Sequence, residues 1–178
     1  MKDSTFVNQI MSKNVLTVDK STSLQEAAQK MSKLNIGCVI VTEGTKPLGI
    51  VTERDFVTIV AAEGRPLFTE ISEVMSSPLI TIDPEETIWE ASEMMKEKSI
   101  HKLPVKENEQ IIGIVTTTDI VKIASVGSDS EMRKICDQIL LRMKDESNWD
   151  VLHVGMITNS LEVRFVLRNV MRIILFQN

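Results

Sequence analysis

From Ile10 to Ile123 the chain is one pattern written twice. Met11 and Met75, Thr17 and Thr81, Ala27 and Ala91, Gly49 and Gly113, and Asp55 and Asp119 each lie 64 positions apart. The pairs Ser12/Ser76, Asp19/Asp83, Glu26/Glu90, Met31/Met95, Ile36/Ile100 and Val41/Val105 keep the same offset, and no gap is needed from Ile10/Val74 to Ile59/Ile123. Chance similarity does not hold register over such a length. Whatever the first copy folds into, the second must fold into as well, which restricts the architecture more than any single motif.

Each copy predicts the same elements. A short β-branched strand comes first, Val15–Val18 or Leu79–Ile82. After a turn, a helix opens on a capping-box pattern, Ser23 with Glu26 or Thr87 with Glu90. Its apolar face is Leu24, Ala27, Ala28, Met31 and Leu34, echoed by Ile88, Ala91 and Met95 at helical spacing. The methionines are read as core filler. Two strands follow, Cys38–Val41 and Leu48–Val51, or Lys102–Val105 and Ile111–Val115, and a second helix opens at Thr52 or Thr116.

The order strand, helix, strand, strand, helix predicts an α/β (α+β) unit with helices on one face of a small sheet. A unit of this length is marginal alone, so the two copies are expected to pack face to face as a pseudo-twofold pair. The expected divisions are a first domain over 7–61, a linker over 62–70 that holds Gly64 and Pro66, a second domain over 71–125, and an extension over 128–178.

The extension departs from the repeat. Met132, Ile135, Ile139, Leu140 and Met143 give Glu131–Lys144 the spacing of an amphipathic helix, followed by a charged loop at Asp145–Asp150. Val151–Met156 and Leu161–Leu167 alternate like a hairpin, whereas Arg164, Arg168 and Arg172 suit a helix with a basic stripe, and both readings stay open. The apolar run Val170–Phe176 needs cover, from the repeats, a second subunit, a protein target or a membrane surface.

Composition narrows the function classes. A net charge of −5 argues against general nucleic-acid binding but not against one small anion in a local basic pocket. No apolar run reaches the roughly 18 residues of a membrane span, and the N-terminus has no signal-peptide core. Cys38 and Cys136 show no metal or redox spacing and read as reduced packing residues of a cytoplasmic protein. His153 has no identifiable partner and reads as structural. There is no Gly-rich phosphate loop, nucleophile elbow or metal-spaced His/Asp/Glu set, so an enzyme is not expected and no metal or cofactor is called for.

The chemistry sits in GIVTERD (Gly49–Asp55) and its echo GIVTTTD (Gly113–Asp119). Thr-x-x-Asp at a helix start is, in one reading, a helix cap with a carboxylate near the positive helix end. In another, free N–H groups and the Thr hydroxyl meet a phosphate while the Asp accepts the hydroxyls of a ribose. Spacing alone does not choose between them.

Resemblance adds to this. The stretches IMSKNVLTVDKSTSLQEAAQKM…GIVTERDF and VMSSPLITIDPEETIWEASEMM…IHKLPV…GIVTTTDI closely resemble the cystathionine-β-synthase (CBS) domain family, whose tandem pairs are called Bateman modules. The likeness runs from Val7 to Ser125, about two thirds of the chain. It implies a regulatory protein that takes an adenine nucleotide such as AMP, ADP or ATP, and that dimerises. The Thr-x-x-Asp of each domain would hold phosphate and ribose, with strands of the other domain completing the site.

Carried over, the first site comprises Thr52, Arg54, Asp55, Ile80, His101 and Lys102; IHKLPV is very similar to IHRLPV in the γ subunit of AMP-activated protein kinase. The second, weaker site comprises Leu16, Gly37, Cys38, Thr116, Thr118 and Asp119, with Gly37-Cys38 and Ile40 where the family has a basic residue and a proline. Two other readings are a structural dimerisation module with vestigial sites, and a sensor of S-adenosylmethionine or NAD. The resemblance also extends to the regulatory part of IMP dehydrogenase.

Overall fold

The computed structural model describes residues 5–126. The expected helix, loop and hairpin-or-helix of 128–178, with Cys136 and His153, lie outside the described residues.

One compact unit is built on Asn14–Ile80. Its sheet has the order β1 (Thr17–Asp19), β2 (Cys38–Glu43), β3 (Lys46–Thr52), with β1 parallel and β3 antiparallel to β2. Val39 pairs with Val51 and Ile40 with Ile50, and a bulge between Val41 and Thr42 ends the regular register. Between β1 and β2 runs α2 (Leu24–Leu34), capped by Ser23, whose hydroxyl accepts from the Glu26 amide, and ended by Asn35 in the left-handed region. Leu24, Ala27, Ala28 and Met31 are buried together with Val18, Val39, Val41, Val51 and Phe56. Each fully buried large side chain contributes roughly 1.5–3 kcal/mol of transfer free energy. Leu34 does not join this face: it is 54 % exposed. At 100° per residue it falls roughly 70° from the centre of the stripe, in the last turn before Asn35.

The other unit is built on 5–13, Thr81–Glu107 and 112–126. It repeats the plan with α4 (Ile88–Lys98), β4 (Lys102–Glu107), β5 (Gln110–Thr116) and α5 (Thr117–Val126). The strand expected at Leu79–Ile82 shrinks to one parallel bridge, Ile82 with Val105, in which Ile82 donates to Pro104 O and accepts from Lys106 N. Ile88, Ala91 and Met95 of α4 are buried with Leu103, Val105, Val115 and Ile120.

The composition of the units is the main structural surprise. The segment that opens each sequence repeat completes the unit formed by the rest of the other repeat. Residues 5–12, with α1 (Val7–Ile10), dock on the second repeat: Val7 N donates to Glu86 O, Asn8 N to Pro84 O, Ile88 N to Thr5 O, and Ser12 and Ile114 exchange both backbone bonds at 2.9 Å. Residues 69–76 dock on the first repeat in the same register: Ile71 N to Thr22 O, Ser72 N to Lys20 O, Leu24 N to Thr69 O, and Ser76 with Ile50 in both directions. Val7 and Ile71, equivalent residues, are each fully buried. Gly49 and Gly113 make room for this docking. A Cβ on Gly49 would lie 2.6 Å from Ser76 O, and one on Gly113 2.5 Å from the Met11 sulfur.

Candidate functional site

β3 and β5 each deliver a threonine to the start of a helix. Thr52 ends β3 opposite Cys38, and the Glu53 amide donates to Gly37 O at 3.2 Å. Thr116 ends β5, and the Thr117 amide donates to His101 O at 3.1 Å. Each Thr-x-x-Asp therefore stands beside the opening of its own repeat's middle strand, Gly37-Cys38 in one unit and His101-Lys102 in the other.

Within each box the aspartate is held firmly. Asp55 Oδ2 accepts from the Thr52 amide at 2.7 Å and from the Thr52 hydroxyl at 2.8 Å. Asp119 Oδ2 accepts from the Thr116 amide at 3.0 Å and its hydroxyl at 2.6 Å, and the Asp119 amide donates back to Thr116 Oγ1 at 3.3 Å. In both, one carboxylate oxygen does the capping; Oδ1 makes no hydrogen bond among the described residues. Both boxes are half-buried.

An ordinary cap in the same chain provides a control. Thr87 and Glu90 make the same three bonds at the start of α4, with amide and hydroxyl both 2.8 Å from Glu90 Oε2. The Thr87 amide and hydroxyl hold the Glu90 carboxyl below the usual range, while Glu90 in turn pushes the neighbouring Glu86 carboxyl up. There Thr87 is half-buried and Glu90 exposed. Hydrogen-bond geometry is thus common to a plain cap and to both candidate boxes. What distinguishes the boxes is a half-buried carboxylate and a place at the end of a sheet strand.

The two boxes have equal net charge but differ in their charged side chains, since Glu53 and Arg54 stand in the first where the second has Thr117 and Thr118. Arg54 is exposed and its guanidinium makes no ion pair or hydrogen bond among the described residues. The equivalent Thr118 is half-buried and uncharged. They differ also in the helix that follows. α5 is regular, whereas α3 (Glu53–Asp55) runs into six residues wound with the wider i→i+5 spacing, Phe56–Ala61, with Ala62 N bonding to Val57 O. Four consecutive β-branched residues, Val57 to Val60, weaken the α form there. Thr58 Oγ1 instead takes Arg54 O at 2.9 Å. Phe56 and Val60 still reach the core.

Among the candidate residues, Leu16, Gly37, Cys38, Ile80, Thr52, Arg54 and Asp55 belong to one unit, and His101, Lys102, Thr116, Thr118 and Asp119 to the other. Leu16 accepts from Ile40 N and packs on the core, Cys38 is buried, and Ile80, His101 and Lys102 are half-buried. Sequence reasoning missed that Met11-Ser12 and Met75-Ser76 back the strands leading into the boxes. The only signal was the paired Gly49 and Gly113. No group of three or more His, Cys, Asp or Glu that could hold a metal occurs among the described residues, and no described helix is long and apolar enough to cross a membrane.

Residues 7–62 and 71–126 each match the family model of the CBS domain. The CBS domain-containing protein YhcV of Bacillus subtilis is 34% identical over 114 residues, which cover 64% of this chain and 81% of that protein. A solved protein with CBS domains from Burkholderia ambifaria superposes with a TM-score of 0.65 at 28% identity, covering 70% of this chain and 97% of that one. The CBS domain pair of protein MJ0100, solved in complex with 5′-methylthioadenosine and S-adenosyl-L-methionine, gives a TM-score of 0.63 at 29% identity, over 68% of this chain and 97% of that one.

Proposed function

Because this chain belongs to the CBS domain family and carries two such domains in tandem, we propose that it is a non-catalytic regulatory module of the cytoplasm that binds an adenine nucleotide. The observation that carries the reading is the duplicated, half-buried Thr-x-x-Asp box, in each of which one aspartate oxygen does the capping and the other makes no hydrogen bond among the described residues; a ribose hydroxyl would take that second oxygen. The proposed strong site uses Thr52, Arg54, Asp55 and Ile80 with His101 and Lys102. Arg54 and Lys102 supply the charge that a phosphate needs through charge-assisted hydrogen bonds. The proposed weak site uses Leu16, Gly37, Cys38, Thr116, Thr118 and Asp119, where no cation stands among the matched positions. Binding acts on a protein target through a conformational or oligomeric change, to the extent that the ligand prefers one arrangement. A homodimer of pairs, with domains over 7–61 and 71–125 joined by 62–70, is part of the same proposal.

A second reading, a sensor of S-adenosylmethionine or a related adenosyl compound, is favoured by the lack of a cation within Thr116–Asp119 and by the ligands of the MJ0100 pair. A cationic sulfonium has no use for Arg54. Thermal unfolding of the full chain with AMP, ADP, ATP, NAD, S-adenosylmethionine and methylthioadenosine separates the two. A ligand at about a hundred times its Kd adds about 2.7 kcal/mol, or roughly 5–10 °C for a chain of this size. The nucleotide reading expects that shift from a phosphorylated ligand. A shift from the sulfonium alone supports the second reading, and none from any ligand leaves a structural dimerisation module.

A further inference from the structure

The exchange of opening segments makes the two halves of the chain hold each other. The N-terminal half, 5–61, gives its opening segment to the second repeat and receives the one that begins the C-terminal half. Both docking sites make the same set of backbone bonds with equivalent residues. The halves are joined by 62–66, where the helix ends on Gly64 at φ +67° with Arg65 N bonding back to Val60 O, a left-handed helix stop. From Leu67 onward the chain is docked again: Gln25 N donates to Leu67 O.

We propose that this mutual clasp also closes between two copies of the chain, giving a dimer in which each unit is assembled from both. The N-terminal half of one copy then pairs with the C-terminal half of the other. Every docking bond is reproduced and only the reversal at 62–66 opens, which is the condition for low-cost segment swapping. The partner is a second copy because this chain carries both opening segments in matching register. A link this short gives an effective concentration on the order of millimolar for closure within one chain, so the clasp closed within one chain prevails at micromolar concentration. Opening the hinge shifts that balance. Proline cannot take φ +67°, and nothing but the hinge surrounds Gly64, since no atom lies within 4 Å of a Cβ there. Gly64→Pro therefore favours the swapped form without disturbing either core.

The test uses a disulfide as a reporter of connectivity. Ser12 and Ile114 exchange both backbone bonds, and such pairs have Cα atoms about 5.5 Å apart, within disulfide range. Ser12→Cys with Ile114→Cys is introduced in the full chain carrying Cys38→Ala and Cys136→Ser. The protein is refolded at low micromolar and at near-millimolar concentration, oxidised, and run on non-reducing denaturing gels beside light-scattering mass measurement. The expected result is an intrachain disulfide at low concentration and a covalent dimer at high concentration, with Gly64→Pro shifting the dimer to at least tenfold lower concentration. A disulfide that forms only within chains under both conditions, even where a dimer is present, overturns the proposal, because such a dimer joins intact chains. If Gly64→Pro fails to fold, the native hinge at high concentration decides alone.

Discussion

At the scale of single residues, two glycines and two aspartates carry most of the design. Gly49 and Gly113 open the motifs that end in Asp55 and Asp119, and each admits a Met-Ser pair against its bare Cα. Gly49→Ala sets a methyl against the Ser76 carbonyl, a backbone atom with little room to give. It is expected to cost about 1–3 kcal/mol, seen as a lower urea midpoint with unchanged slope. An unchanged midpoint would show that the 69–76 segment is not packed as described. The glycines were visible in the sequence as part of a repeated motif, but their purpose was not. A glycine in a strand announces a close approach without naming what approaches. The aspartates were legible as caps, and the caps formed. Which carboxylate oxygen does the capping depended on hydrogen-bond geometry that no spacing encodes.

At the scale of elements, the starts of α3, α4 and α5 share one capping device. Thr87 and Glu90 cap α4 as Thr52 and Asp55 cap α3, but with an exposed carboxylate and away from the strand ends. Thr87→Ala is expected to lower stability by about 1 kcal/mol and to leave any ligand-induced rise in melting temperature unchanged. Loss of that rise would mean that capping geometry, not the pair of boxes, governs binding. The helices and hairpins were readable because a period of 3.6 or 2 shows directly which face is buried, as in Leu24, Ala27, Ala28 and Met31. Leu34 misled because it lies at the stripe's edge in the final turn. The strand expected at Leu79–Ile82 was misjudged because its composition suits a strand while only Ile82 finds a partner strand. The wide winding of Phe56–Ala61 follows from four adjacent β-branched residues, yet the second copy, with Lys122 inside the same run, stays regular.

At the scale of the whole chain, duplication was the most legible fact and segment exchange the least. The two opening segments match in register, with Val7 for Ile71 and Met11 for Met75, so the sequence fits equally well with each staying in its own repeat or crossing to the other. Only the docking bonds distinguish these. The two boxes are unequal, since Arg54 stands in one and Thr118 in the other. In the function proposed above, Asp55 holds the ribose of an adenine nucleotide at the stronger site. Isothermal titration calorimetry with AMP, on the native chain and on Asp55→Ala and Asp119→Ala, tests this most directly. Asp55→Ala is expected to weaken AMP binding at least tenfold, while Asp119→Ala leaves the stronger site intact. Binding abolished by Asp119→Ala and unchanged by Asp55→Ala would contradict it.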